Sequence, residues 1–290
     1  MVIWLCVLVR VVANPCSNVF QKVLTRDAAD PVFIICVTHG LLSLACVPLL
    51  LLFPLPASNG FWLDISACAA LAVAGNVLLV RAVKLSDLSV LGPINAYKPV
   101  ISLVPGLILL HEVPGLLGLG GIALIVAGSY GLVDGGAAGR GGLAGLLRDR
   151  GVQYRVAALV LTATEAVFLK RALLASSWLT AFAVWSVLGF VVSLAAVGTL
   201  LGAGLRHEFG VLRGSKRAYL SLFVTTGLMQ LCTLATLEWL HVGSALALFQ
   251  TSAVISVVLG YRVFQEHQFR RRLIGSAVMV AGAVLVVLGR

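Results

Sequence analysis

Charge is what this sequence has least of. Of its 290 residues, 11% are Asp, Glu, Lys or Arg, against 60% that are hydrophobic. A soluble domain carries about 25% charged residues. The 21 basic and 11 acidic side chains cannot solvate a 30.4 kDa globule. That excludes a soluble enzyme, a disordered chain and a nucleic-acid-binding module. Recognisable catalytic motifs are missing as well. The sequence has no zinc-spaced His pair, no G-x-S-x-G and no Walker loop, so nothing points to a metal, a cofactor or ATP-driven work. Paired cysteines are also lacking. Cys6, Cys16, Cys36, Cys46, Cys68 and Cys232 lie in apolar runs without a C-x-x-C pair and read as small buried hydrophobes. No basic region precedes the apolar start and Arg10 interrupts it, so no signal peptide is expected.

What is present is apolar length, at a mean hydropathy of +1.05. A membrane-spanning helix takes about 20 apolar residues. Ten segments qualify: 2–21, 32–53, 62–81, 88–110, 115–133, 153–173, 178–202, 218–238, 243–264 and 273–289. The longest polar stretch is Gly- and Arg-rich and divides the chain into residues 1–133, a linker at 134–151 and residues 152–290. Asp30-Pro31, Pro54-Leu55-Pro56 and Pro114-Gly115 punctuate the segment ends.

The two halves resemble each other. At an offset of 154, residues 96–128 match 250–282 at 12 of 33 positions without a gap. Val100-Ile101-Ser102 falls on Val254-Ile255-Ser256, Gly106 on Gly260, Glu112 on Glu266, Gly121 on Gly275 and Gly128 on Gly282. Near the start of each half, Val19-Phe20-Gln21-Lys22 echoes Val167-Phe168-Leu169-Lys170. Five segments per half is an odd number, so the second copy is expected upside down in the bilayer. The expected fold is an all-α integral membrane protein of ten transmembrane helices in two inverted five-helix repeats. A binding site at the midplane between the repeats follows from that arrangement.

Four stretches carry a family resemblance: Pro105-Gly106 through Glu112, Gly260 through Glu266, Asn14-Pro15 through Lys22, and Thr164-Glu165 through Lys170. With the ten-segment layout they resemble the EamA-type members of the drug/metabolite transporter superfamily, over essentially the whole chain. The resemblance implies a transporter, not an enzyme. It does not name a substrate, since relatives carry amino acids, drugs, sugars and nucleotides.

Charge also bears on orientation. Sixteen Lys and Arg fall on the linker face, while Lys170, Arg171 and Arg290 fall on the other. The positive-inside rule then puts the linker face in the cytoplasm and both termini outside. The family resemblance implies the reverse, cytoplasmic termini.

Ionisable groups deep in a span usually face a cavity or a partner. Lys98 and Glu165 lie near the middles of the fourth and sixth segments. Two readings stay open: Glu165 couples protons while Lys98 binds an anionic group, or the two form a static ion pair. Arg10, Asn14, Asn18 and Gln21 form one polar stripe on a helix. The stripe reads as a pore lining or as polar glue between helices. Pro93, Asn95, Tyr97, Lys98 and Pro99 crowd the fourth segment, an interruption typical of a transporter site. The ninth has the milder Phe249, Gln250, Thr251 and Ser252. Asn76 and Gln230 read as polar helix contacts, and Gly118-Leu119-Gly120-Gly121 as close helix packing rather than a nucleotide loop. Glu112 and Glu266 read as structural carboxylates near helix starts.

The substrate-binding candidates are therefore Asn14, Asn18, Asn95, Tyr97, Lys98, Glu165, Trp185, Gln250 and Thr251; the proton-coupling candidates are Glu165 and His39. Arg10, Lys98 and Glu165 sum to one positive charge, which favours an anionic or zwitterionic solute. The expected function is secondary transport of a small amphipathic solute, an amino acid or related metabolite, in the export direction. The alternative is a lipid-carrier or lipid-linked sugar flippase of the same fold. Expected partners are the small-molecule substrate, membrane lipid and protons as coupling ion, with no nucleic acid, for a monomer or homodimer. Short loops and the absence of an N-x-[ST] acceptor fit a bacterial inner (cytoplasmic) membrane.

Overall fold

The computed structural model describes residues 2–86, 91, 94–111, 115–133, 149–265 and 269–288. Among them, every regular element is helical. The first half holds α1 (Val2–Arg26), α2 (Pro31–Leu52), α3 (Asn59–Leu85), a 3-10 turn at Asn95–Tyr97 running into α4 (Lys98–Leu110), and α5 (Leu116–Val133). The second holds α6 (Arg150–Leu174), α7 (Trp178–Leu200), α8 (Leu205–Gly214), α9 (Lys216–Trp239), α10 (Val242–Phe249), α11 (Ser252–Phe264) and α12 (Phe269–Leu288). Among the described residues, helix falls within each of the ten apolar segments. Glu112, Glu266, Pro93, Pro114 and most of the linker lie outside the described residues.

Local chemistry sets the helix starts. Asp30 accepts from the Val32 amide at 2.8 Å with Pro31 in the first turn, Asp149 from Val152 at 2.9 Å, and Ser177 from Thr180 at 3.2 Å. Each satisfies an amide that a helix start leaves without a partner. Six helices are long and apolar enough to cross a membrane, and three shorter apolar ones lie over 98–110, 116–128 and 273–286. Their outer faces expose Leu5, Leu51, Leu63, Ile108, Leu116, Leu220 and Ile274. Apolar surface of that extent is stable only where the surroundings are lipid.

Two features go beyond the sequence reading. The ninth segment is interrupted as the fourth is, although it has neither proline nor charge. Gln250 and Thr251 donate their amides to Ala247 and Leu248, three residues back. Their side chains also reach backward, to Leu246 and Leu248 carbonyls at 2.9 and 2.8 Å. Backbone capture by Gln and Thr tightens the helix into a 3-10 turn. The second is α8, which no apolar segment announced. It docks at the linker end, where buried Glu208 accepts from the Asp30 amide at 3.0 Å.

The 154-residue offset recurs in the geometry. Lys98–Leu110 and Ser252–Phe264 start and end in register, each 13 residues long. Each is followed by a left-handed non-glycine residue, His111 at φ 54° and Gln265 at φ 55°. The main helix pairings are α1 with α9, α3 with α6, α2 with α7 and α5 with α12, each joining one half to the other. At the α5–α12 crossing, a Cβ on Gly121 would lie 2.5 Å from the Gly282 carbonyl, and one on Gly282 would lie 2.6 Å from the Gly121 carbonyl. Gly128 and Gly275 meet likewise, at 2.9 Å. Only glycine allows backbones this close, the usual basis of helix association in lipid. Gly121 thus does the packing expected of the glycine run, whereas Gly120 faces open space.

The largest core cluster fills the end away from the linker, with Phe61, Ile65, Phe182, Trp185, Leu237 and Phe249 among its members. At that end Lys170 donates to the carbonyls of Leu237, Glu238 and Leu240 at 2.5, 3.3 and 3.3 Å. Beside it Arg171 pairs with Asp64 at 3.2 Å. One end of the bundle is thereby closed by apolar packing and a polar clasp.

Candidate functional site

A polar cavity lies between the halves, with an empty volume of about 1080 Å³ that includes open solvent. Its walls use residues 10–21 of α1, 35–39 of α2, 76–79 of α3, 155–169 of α6 and 226–233 of α9. The entire α1 stripe lines it: Arg10, Asn14, Asn18 and Gln21, joined by Ser17. Arg10 Nε donates to Thr233 Oγ1 at 3.2 Å, Asn14 Nδ2 to Ser252 Oγ at 3.4 Å, and Ser17 lies 2.9 Å from Thr226 Oγ1. The two readings of the stripe are both realised, since these residues line the cavity and join α1 to α9 and α11.

Lys98 and Glu165 reach the same cavity from α4 and α6. Glu165 accepts from Cys68 Sγ at 3.7 Å, inside the bundle. Ion pairs in the structure include Arg171 with Asp64 and His207 with Glu208; Lys98 and Glu165 share a cavity wall without forming one. The static-pair reading therefore has no contact to rest on.

His39 and Trp185 form an adjoining wall, their rings 4.8 Å apart. His39 Nδ1 lies 3.0 Å from the Ile35 carbonyl, which can only accept, so Nδ1 carries the proton. His39 Nε2 and Trp185 Nε1 are buried without a partner among the described residues. Asn95, also on the wall, donates to Gln250 Oε1 at 3.1 Å and ties the two interrupted helices together. Gln250 and Thr251 brace the break from behind the wall, and Tyr97 packs beside Ile94, Val152 and Leu159.

Three placements differ from the sequence reading. Arg155, counted there among the linker-face cations, is buried in the cavity wall and donates from Nε to the Leu91 carbonyl at 3.1 Å. Helix α6 starts at Arg150, ahead of the apolar run, and carries Arg155 inside. Asn76 and Gln230 line the cavity as well, beyond the helix contacts expected of them. Phe249 is the residue the sequence did not single out for a role. Its ring lies 4.2 Å beneath the Arg10 guanidinium, a cation–π contact that only the folded chain brings together.

The family comparison fits this geometry. The EamA-like transporter family model matches residues 3–133. A protein known from a crystal structure superposes with a TM-score of 0.69 at 16% identity, covering 98% of this chain and 97% of its own. That likeness is one of fold. No curated protein matches the chain by sequence. The apolar helices and the likeness to a membrane transporter family over residues 3–133 together make this an integral, multi-pass membrane protein.

Proposed function

We propose that this chain, EamA-like through its first half, is a secondary transporter that alternately exposes its central cavity to the two faces of a bacterial inner membrane. Its cargo is a small amphipathic organic solute, an amino acid or related metabolite, carried outward. Glu165 serves as the proton-coupling carboxylate. The observation that carries this reading is the cavity itself, where ionisable side chains from both halves meet around open space without pairing. Groups so placed mark substrate and proton pathways in membrane proteins.

The alternation is supported by the symmetry of the packing. If α1, α2, α3 and α5 correspond to α6, α7, α9 and α12, then exchanging the halves converts α1–α9 into α6–α3. The pairs α2–α7 and α5–α12 map onto themselves. The reciprocal contacts of Gly121 with Gly282 and of Gly128 with Gly275 obey the same rule, since Gly121 corresponds to Gly275 and Gly128 to Gly282. Such reciprocity is the mark of a twofold relation. With five spans per half, the axis lies in the membrane plane, and rocking one half against the other moves the opening from face to face.

The test is uptake of labelled amino acids and organic anions into proteoliposomes, with and without a pH gradient. Gradient-driven uptake that Glu165→Gln abolishes, with gradient-free exchange retained, supports both the carrier and the coupling role. Failure of every soluble solute to move, with lipid scrambling in its place, would refute the solute carrier.

A further inference from the structure

The cavity wall carries Arg10, Lys98 and Arg155 against Glu165, the single carboxylate among its described residues. With all four ionised, the site holds two positive charges that no group among the described residues balances. The cations approach from α1, α4 and α6, so their charge converges on the cavity. Two of them are partly committed through Nε, Arg10 to Thr233 and Arg155 to the Leu91 carbonyl. Arg10 still has NH1 buried without a partner, and the donor-only Trp185 Nε1 is in the same condition. Uncompensated positive charge and unanswered donors in a membrane interior call for an anionic occupant. The Phe249 and Trp185 rings add apolar surface beside these donors.

We propose that the transported solute is a small organic dianion, a dicarboxylate or a phosphate monoester, held by Arg10, Lys98 and Arg155. The inference rests on the transporter reading and narrows its substrate class. A neutral zwitterion leaves both surplus charges unbalanced; a doubly charged oxyanion balances them.

Purified full-length protein would first be melted in detergent at matched ionic strength with succinate, glycerol 3-phosphate or leucine. It would then be assayed for counterflow of the same three solutes in proteoliposomes. Stabilisation and counterflow with a dianion but not with leucine support the assignment, and the choice between the two dianions identifies carboxylate or phosphate chemistry. Arg10→Gln and Lys98→Gln should each weaken dianion binding by about 10-fold or more, since truncating one partner of a buried charge contact is costly. Lys98→Arg should retain binding, and Glu165→Gln should tighten it by removing the competing carboxylate. Leucine counterflow without dianion counterflow overturns this inference and leaves the transporter standing. Dianion binding unchanged in both Gln variants overturns it as well. A folded protein that binds and moves none of the three overturns both readings.

Discussion

Replacing Lys170 with Met removes the ammonium that holds the end of α9 against α6. Helix α9 stops at Trp239, so the carbonyls of Leu237 and Glu238 belong to its last turn and have no intrahelical donor. Lys170 supplies one to both, and to Leu240 beyond the helix end. Leu237 and Leu240 are buried, so water does not replace the lost donor. An unsatisfied buried acceptor costs about 1–3 kcal/mol, and the variant is relieved of burying an ammonium. The balance is about 2 kcal/mol against the arrangement that closes this end. At 1.4 kcal/mol per decade, that is about a 30-fold shift in population toward opening. In a cysteine-free background, Leu169→Cys places a thiol at the cavity wall next to the clasp. An impermeant maleimide added from the side of the 53–58 loop should label it about 30-fold faster once Lys170→Met is introduced. The repeat supplies a control of opposite sign. Lys22 corresponds to Lys170, and it borders a pocket with Val83, Lys84, Leu85 and Ser86, the register counterparts of 237 to 240. Lys22→Met should therefore slow the same labelling by favouring the state closed at the far end. Equal acceleration by both variants, or none by Lys170→Met, would refute the gating argument and leave Lys170 as a helix cap.

Gly121→Ala and Gly282→Ala each thrust a methyl against a facing backbone carbonyl at 2.5 and 2.6 Å. Each should destabilise by about 1–3 kcal/mol, read as a lowered melting midpoint in detergent, while Gly120→Ala, facing open space, should melt like the parent. The Asn95–Gln250 bond should give a coupling of about 0.6 kcal/mol in a double-mutant cycle, the usual size between membrane helices; additive single losses would show that the two helix breaks are held independently. Ser58→Cys and Arg206→Cys should label from opposite faces of the membrane. The excess of basic residues on the linker face predicts that Arg206→Cys labels from the cytoplasmic side, and labelling from outside would reverse that orientation.

Hydropathy made the helices legible because a lipid-facing helix must be apolar along its length, and among the described residues each segment read that way contains helix. It failed on α8, an amphipathic surface helix whose charge keeps it below any apolar threshold. It also misplaced Arg155. Charge at the start of a segment reads as loop, yet α6 begins at Arg150 and brings Arg155 inside the bundle. The α1 stripe was legible because residues 10, 14, 18 and 21 share a helical face, and all four reach the cavity. Trp185 and His39 were legible only as oddities of composition. Their contact at 4.8 Å joins α7 to α2 across the halves, and no local pattern encodes a pairing so distant in sequence. Phe249 stood out only as part of the milder stretch of the ninth segment, because its contact is with Arg10, more than two hundred residues earlier.

The break in the ninth segment explains why the polar residues of this chain cluster where they do. An interrupted helix leaves amides and carbonyls unpaired, and in lipid these must be satisfied from within the protein. Gln250 and Thr251 capture carbonyls of their own helix, while Asn95 reaches Gln250 and Asn14 reaches Ser252 from the other half. Asn14 and Asn95 also line the cavity. Polar side chains that make the interruption tolerable are thus drawn to the cavity that the interruption borders. Replacing Asn14 with Leu should then act twice, removing a polar wall group and loosening the start of α11. Asn14→Ser keeps a hydroxyl on the wall but is too short to reach Ser252. If the bracing contact matters, Asn14→Ser should lose stability nearly as far as Asn14→Leu while retaining more counterflow. Equal losses of counterflow in the two variants would mean that bracing alone, and not wall polarity, is what Asn14 provides.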